Sequence, residues 1–119
     1  MAHKLKKKLA AKPKARARVF AALGNRTRMG LVALLAERPD SSIVALGEDL
    51  EMTRQAVTKH LGVLERAGIV SSRVEGRERL FAVEPDGLGS AREFLEVLAK
   101  EREKVEGKRA AKTVPGAAD

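Results

Sequence analysis

Along the chain the apolar residues keep two different periods. Through the first half they recur every three or four positions, the spacing of a helix with one buried face. From Ala15, "ARARVFAALG" places Val19, Phe20 and Leu23 on one face, and Gly24 stops the run. "NRTRMGLVALLAE" follows, with Asn25 as N-cap and Met29, Leu31, Val32, Leu34 and Leu35 apolar. "RPDSS" is a cluster of turn residues. Ser42 then caps "IVALGEDL", whose Ile43, Leu46 and Leu50 share a face. Only Glu51 and Met52 separate it from a helix that Thr53 caps, that buries Val57, Leu61 and Leu64, and that Gly68 ends.

Beyond Gly68 the period shortens to two. "IVSSRV" alternates Val70, Ser72 and Val74, and "RLFAV" alternates Arg79, Phe81 and Val83, with Gly76 in the "EGRE" between them. This pattern predicts a β-hairpin. "EPDGLGS" reads as a loop, and "AREFLEVLAKEREKVE" as a last helix with Phe94, Leu95, Leu98 and Val105 apolar. The predicted fold is mainly α with a β-hairpin wing, in helices–hairpin–helix order. A short helix, a tight turn, a second helix and a hairpin make up a winged helix-turn-helix, whose second helix fits the major groove. Residues 15–105 form that domain. Residues 1–14 are expected to be a flexible basic arm and residues 106–119 a flexible tail.

A chain of 119 residues supports one modest core. With no Cys, no Trp and no Tyr, that core is built from Leu, Val, Ile and Ala, and thiolate metal ligation and a cysteine nucleophile are excluded. No apolar run approaches the length of a membrane span, and the basic N-terminus lacks the apolar region of a secretory signal. The net charge is +8, and its placement says more than its size. Of the 24 basic residues, eight lie within residues 1–18 (among them Lys6, Lys7 and Lys8) with no acid beside them, so the other 16 balance the 16 acidic residues. The excess belongs to the arm, either as a solubility tail or as a phosphate-neutralising segment for nucleic acid.

The chemistry concentrates in "TRQAVTKHLGVLERA". With Val57, Leu61 and Leu64 inward, Thr53, Arg54, Gln55, Thr58 and Lys59 point outward together. Arg can hold guanine O6 and N7 at once, Gln can do the same to adenine N6 and N7, and Thr and Lys suit phosphate or base edge. An ordinary solvated helix face is the alternative, and the turn before the helix and the wing after it weigh against that. His60 sits among apolar positions and reads as a packing or phosphate-contacting residue rather than a metal ligand. Gly47 permits close approach of the two helices. In the wing, Arg73, Arg77 and Arg79 alternate with Glu75 and Glu78, which suits a hairpin over a phosphate backbone or in a minor groove, or one held by cross-strand ion pairs.

"LGNRTRMGLVALL", "QAVTKHLGVLERAGIV" and "VEGRERLFAV" together resemble the ArsR/SmtB family of bacterial winged-helix repressors, over roughly residues 17–100. The resemblance implies a homodimer through the first and last helices, an inverted-repeat operator, and a bacterial cytoplasmic, nucleoid-associated location. Family DNA-contacting positions fall on Thr53, Arg54, Gln55, Thr58 and Lys59, reach His60, and include Arg77 and its neighbours. The implied dimer surface uses Val19, Phe20, Leu23, Leu88, Phe94, Leu95 and Leu98. Departures stand at Glu51, where Gly is common and without which a less tight turn is expected, at Arg26, where Pro is common, and at Phe94, where Trp is frequent. Metal-sensing relatives carry thiolates where this chain has Ser42 and Val44, or His and carboxylates on the last helix. Here that helix has Glu93, Glu96, Glu101 and Glu103 but no His, so surface ion pairs with Arg92 and Lys100 are expected, with no metal and no cofactor.

The expected function is thus a non-enzymatic, sequence-specific, dimeric repressor whose partners are double-stranded DNA and a second copy of itself, with no membrane partner and an effector left open. An architectural nucleoid protein of low sequence preference, or a sensor switched by a small molecule or a protein, are the alternatives. The near-neutral body weighs against the first, and the shared fold leaves the second open.

Overall fold

A computed structural model describes Leu9 and residues 12–112; Lys6, Lys7 and Lys8 lie outside the described residues. The elements are α1 (Pro13–Leu23), α2 (Arg26–Glu37), β1 (Ser41–Ser42), α3 (Ile43–Leu50), α4 (Arg54–Arg66), β2 (Val70–Glu75), β3 (Glu78–Val83), a 3-10 turn (Pro85–Leu88) and α5 (Gly89–Lys112). Residues 12–91 form one compact unit, and Leu9 with the described residues from Arg92 onward belongs to another. Among the described residues no helix is long and apolar enough to cross a membrane.

The helix starts follow local chemistry. Pro13 opens α1, where its missing N–H costs nothing, so Pro13 and Lys14 belong to the helix rather than to the arm. Asn25, Ser42 and Thr53 each accept a backbone N–H three residues on, from Arg28, Ala45 and Ala56, at 3.0, 3.2 and 3.1 Å. The C-terminal end of α1 is closed from outside: Arg28 Nε donates to the Ala22 carbonyl at 2.6 Å and Nη2 to that of Ala21 at 3.4 Å, placing a cation at the negative end of the helix dipole.

The turn between α3 and α4 corrects one expectation. Glu51 in place of Gly suggested a looser turn, yet Glu51 takes the left-handed conformation, φ 53°. The Met52 N–H then donates to the Gly47 carbonyl at 2.8 Å, closing the turn as a Schellman motif. Gly47 is buried, and a Cβ there would stand 2.9 Å from the Met52 carbonyl oxygen. Close approach therefore requires glycine.

One core serves the first unit. Leu31, Leu35, Leu46, Val57, Leu61, Leu64 and Ile69 are all at most 1% exposed, with Val19, Ala22, Val70, Phe81 and Ala91 joining them. After α4, Gly68 at φ 78° turns the chain, with the Ile69 N–H bonded to the Leu64 carbonyl at 3.0 Å. The sheet order is β1-β3-β2, all antiparallel, with Val70 opposite Val83, Ser72 opposite Phe81 and Glu75 opposite Glu78. The predicted hairpin is present, and Gly76 supplies the positive φ, 63°, that its two-residue turn needs.

Three features depart from the predicted elements. Ser41–Ser42 pairs with Leu80–Phe81 as a third strand, and residues 85–88 form a helical turn instead of a loop. The last helix runs on to Lys112, so residues 106–112, assigned above to the tail, are helical. Ala, Lys and Arg are strong helix formers and outweigh the single Gly107.

Candidate nucleic-acid interface

On α4 the sequence divides cleanly between two faces. Val57, Leu61 and Leu64 are buried at 0–1%, which fastens the helix to the core. Thr53, Arg54, Gln55, Thr58 and Lys59 are all exposed. Arg54–Thr58 and Gln55–Lys59 are i, i+4 pairs, so these groups share one surface. From Arg54 to Lys59 the rise is about 7.5 Å, the length of roughly two base-pair steps.

Hydrogen bonding fixes part of this surface in advance. Thr53 Oγ accepts the Ala56 N–H, which leaves its hydroxyl proton to donate outward. Thr58 Oγ donates to the Arg54 carbonyl at 2.7 Å, so toward a ligand it is an acceptor only. The Arg54 and Gln55 N–H groups lie in the first helical turn, where no intrahelical acceptor exists. A helix start of this kind favours an anion.

His60 departs from the set. It is half-buried, with Nδ1 3.5 Å from Arg28 Nη1, and so packs against α2 instead of joining the exposed face. Two carboxylates that the sequence reading left out, Glu48 and Glu51, border the same concavity as Thr53 and Arg54. Their one signal in sequence was position, flanking the turn.

The wing arginines do not converge. In this register Arg73 faces Leu80 and Arg79 faces Val74, which places the two arginines on opposite faces of the ribbon. Arg73 is held by Glu75 and, at 3.5 Å, by Asp40. The hydrogen bond to Glu75, then the charge of Asp40, raises its guanidinium above the usual value, so it is charged but already engaged. Arg79 donates to Ser72 Oγ at 3.0 Å, and Ser72 in turn donates to Glu65 of α4 at 3.2 Å. Arg77, at the tip beside Gly76, has no hydrogen bond or ion pair among the described residues.

The residues assigned to a dimer surface also separate. Val19 is 3% exposed and is spent in the chain's own core, so it has no surface left for a partner. The helical period shows that Val19 is apolar, but not what covers it. Phe20, Leu23 and Leu88 are half-buried against that core, and Phe94 is half-buried. Leu95 and Leu98 are 55% and 38% exposed. On α5, Arg92 pairs with Glu96 at 2.9 Å, as the charge spacing predicted. Ser42 spends its hydroxyl on the α3 cap, and Val44 is exposed.

A helix-turn-helix with a polar, cation-bearing second helix and a hairpin wing is a DNA-binding module. A family model described as a helix-turn-helix domain matches residues 23–73. The HTH-type transcriptional regulator Rv2034 of Mycobacterium tuberculosis is 37% identical over 79 residues, covering 66% of this chain and 73% of that one. The uncharacterised HTH-type transcriptional regulator YuzN of Bacillus subtilis is 41% identical over 68 residues, covering 52% and 74%. An ArsR-like transcriptional regulator from Rhodococcus superposes with a TM-score of 0.69 at 31% identity, covering 83% of this chain and 93% of that one. The homodimeric winged helix-turn-helix domain of Mb0332 from Mycobacterium bovis, described as a possible ArsR-family regulator, superposes at 0.62 with 27% identity, covering 86% and 90%. The chain belongs to the ArsR family of winged helix-turn-helix transcriptional regulators, and it is a DNA-binding regulator of transcription.

Proposed function

We propose that the protein is a dimeric repressor that recognises an inverted-repeat operator, with α4 of each protomer in successive major grooves. The observation that carries this reading is the partition of α4, with every outward polar group near its start exposed and every inward apolar group buried at 1% or less. Arg54 and Gln55 read base edges, while Thr53 and Lys59 contact phosphates. Glu48 and Glu51 repel phosphates and restrict how the helix start can sit, and a carboxylate there accepts from cytosine N4. Arg77 is the wing contact. Arg73, held by Glu75 and Asp40, and Arg79, bonded to Ser72, brace the wing instead of meeting DNA.

Leu95 and Leu98 of α5 are exposed and available to a second copy, and so, taken separately, are half-buried Phe20 and Leu23 of α1. The homodimeric Mycobacterium bovis domain supports that assembly. Two-fold symmetry then sets the half-sites about 34 Å apart. The basic arm adds phosphate contacts: residues 1–14 carry six lysines, so two copies bring twelve positive charges per dimer.

Genomic DNA recovered with the protein and sequenced tests the reading. A palindromic motif upstream of genes that rise when the protein is removed supports it. Recovered fragments with no shared motif would point instead to an architectural role.

A further inference from the structure

A second cationic cluster lies away from the front of α4. A cavity of about 650 Å³ is lined by Arg18, Ala21 and Ala22 of α1, Arg28 of α2, and Val63 and Arg66 of α4. Three arginines border it and, among the described residues, no carboxylate does. Arg28 is fixed by the Ala21 and Ala22 carbonyls and by His60. The Arg66 guanidinium lies over Gly62, where a Cβ would come within 3.3 Å of Nη1. Neither the Arg18 nor the Arg66 side chain has a hydrogen bond or ion pair among the described residues. By contrast Arg38, Arg73, Arg92 and Arg102 each meet a carboxylate.

Like charges gathered around one concavity repel, and an anion placed among them removes that cost. The planar fork of Arg matches the oxygens of phosphate. DNA fits this site poorly. Arg66 is the last residue of α4, twelve positions after Arg54 (66 − 54), about 18 Å along the axis at 1.5 Å per residue. Base edges are read by the N-terminal residues of such a helix, so the cavity lies at the far end of the helix from the reading face.

We propose that this cavity binds a small phosphate-type oxyanion, with Arg28 as the fixed charge and Arg18 and Arg66 as the donors that close on it. Occupancy ties α1 to the C-terminal end of the recognition helix. Only a consequence for DNA affinity rests on the operator reading; the binding itself does not.

The test is a titration of the whole chain with inorganic pyrophosphate at constant ionic strength, without DNA, followed by calorimetry and by backbone amide shifts. The expected result is saturable binding at one site per protomer, with shifts concentrated at residues 18–22 and 63–66. Arg66→Gln alone, and Arg18→Gln with Arg66→Gln, weaken binding, the pair by at least about tenfold. Both side chains are exposed and unpartnered, so circular dichroism should show the fold retained. Lys100→Gln, which removes one charge elsewhere as Arg66→Gln does, leaves the affinity unchanged. Unsaturable binding, equal weakening by Lys100→Gln, or shifts at residues 63–66 produced by duplex DNA and not by pyrophosphate would each overturn the proposal.

Discussion

Replacing Gly47 with Ala tests how the helix-turn-helix holds its crossing. The new Cβ would stand 2.9 Å from the Met52 carbonyl oxygen, a backbone atom, and 3.8 Å from Val57 Cγ2. Relief requires a shift of about half an ångström in the turn, because ordinary contact begins near 3.4 Å. That turn is closed by the 2.8 Å bond from Met52 N–H to the Gly47 carbonyl, so it cannot move without loss. Overpacking of this kind costs about 1–3 kcal/mol, while alanine in a helix returns about 1 kcal/mol relative to glycine. A net destabilisation of up to about 2 kcal/mol follows, a fall in Tm of up to roughly 10 °C for a domain this size. Gly30, also within a helix, has nothing within 4 Å of its Cβ position. Gly30→Ala should therefore raise stability by about 1 kcal/mol. Thermal unfolding by circular dichroism compares the two variants directly. If Gly47→Ala is as stable as Gly30→Ala, the close approach of α3 and α4 is not what fixes the motif.

Three further outcomes are expected. Glu51→Gly relieves a left-handed residue worth about 1–2 kcal/mol, less about 0.5–1 for the freer unfolded chain, and should raise the urea midpoint modestly. Thr53→Ala should cost about 1 kcal/mol of stability by removing the α4 cap, whereas Thr53→Asp keeps the cap yet lowers DNA affinity by adding a negative charge at the phosphate contact; equal DNA affinity of Thr53→Asp and the parent would remove Thr53 from the interface. Arg77→Gln should reduce the salt dependence of DNA binding by about one per protomer without changing site preference, as read from affinities over a range of salt.

How much the sequence reveals depends on the range of the interaction. The caps at Asn25, Ser42 and Thr53 and the stops at Gly24 and Gly68 are local, and each is legible from a few residues. The hairpin is legible because its alternation and its glycine lie side by side. The strand at Ser41–Ser42 is not, since its partner is Leu80–Phe81 and two serines carry no period. Arg73 and Arg79 looked like one set because both fall on alternate positions. The two-residue turn pairs odd positions with even ones, and so turns them to opposite faces. Arg28 was legible only as a helix-start residue, because its bonds to Ala21 and Ala22 depend on how α1 and α2 meet. The same limit applies to Val19 and His60, where period gives the face but not what covers it.

The measurement closest to the central claim is selection from random duplexes by the parent and by Arg54→Ala with Gln55→Ala, scored as base preference at each position. The expected parent motif is an inverted repeat with half-sites one helical turn apart. Each lost base contact should cost about 1–3 kcal/mol of discrimination at its own positions, leaving weaker binding to all sequences. An unchanged motif in the double variant, or no motif from the parent, contradicts the claim that the exposed face of α4 reads the sequence.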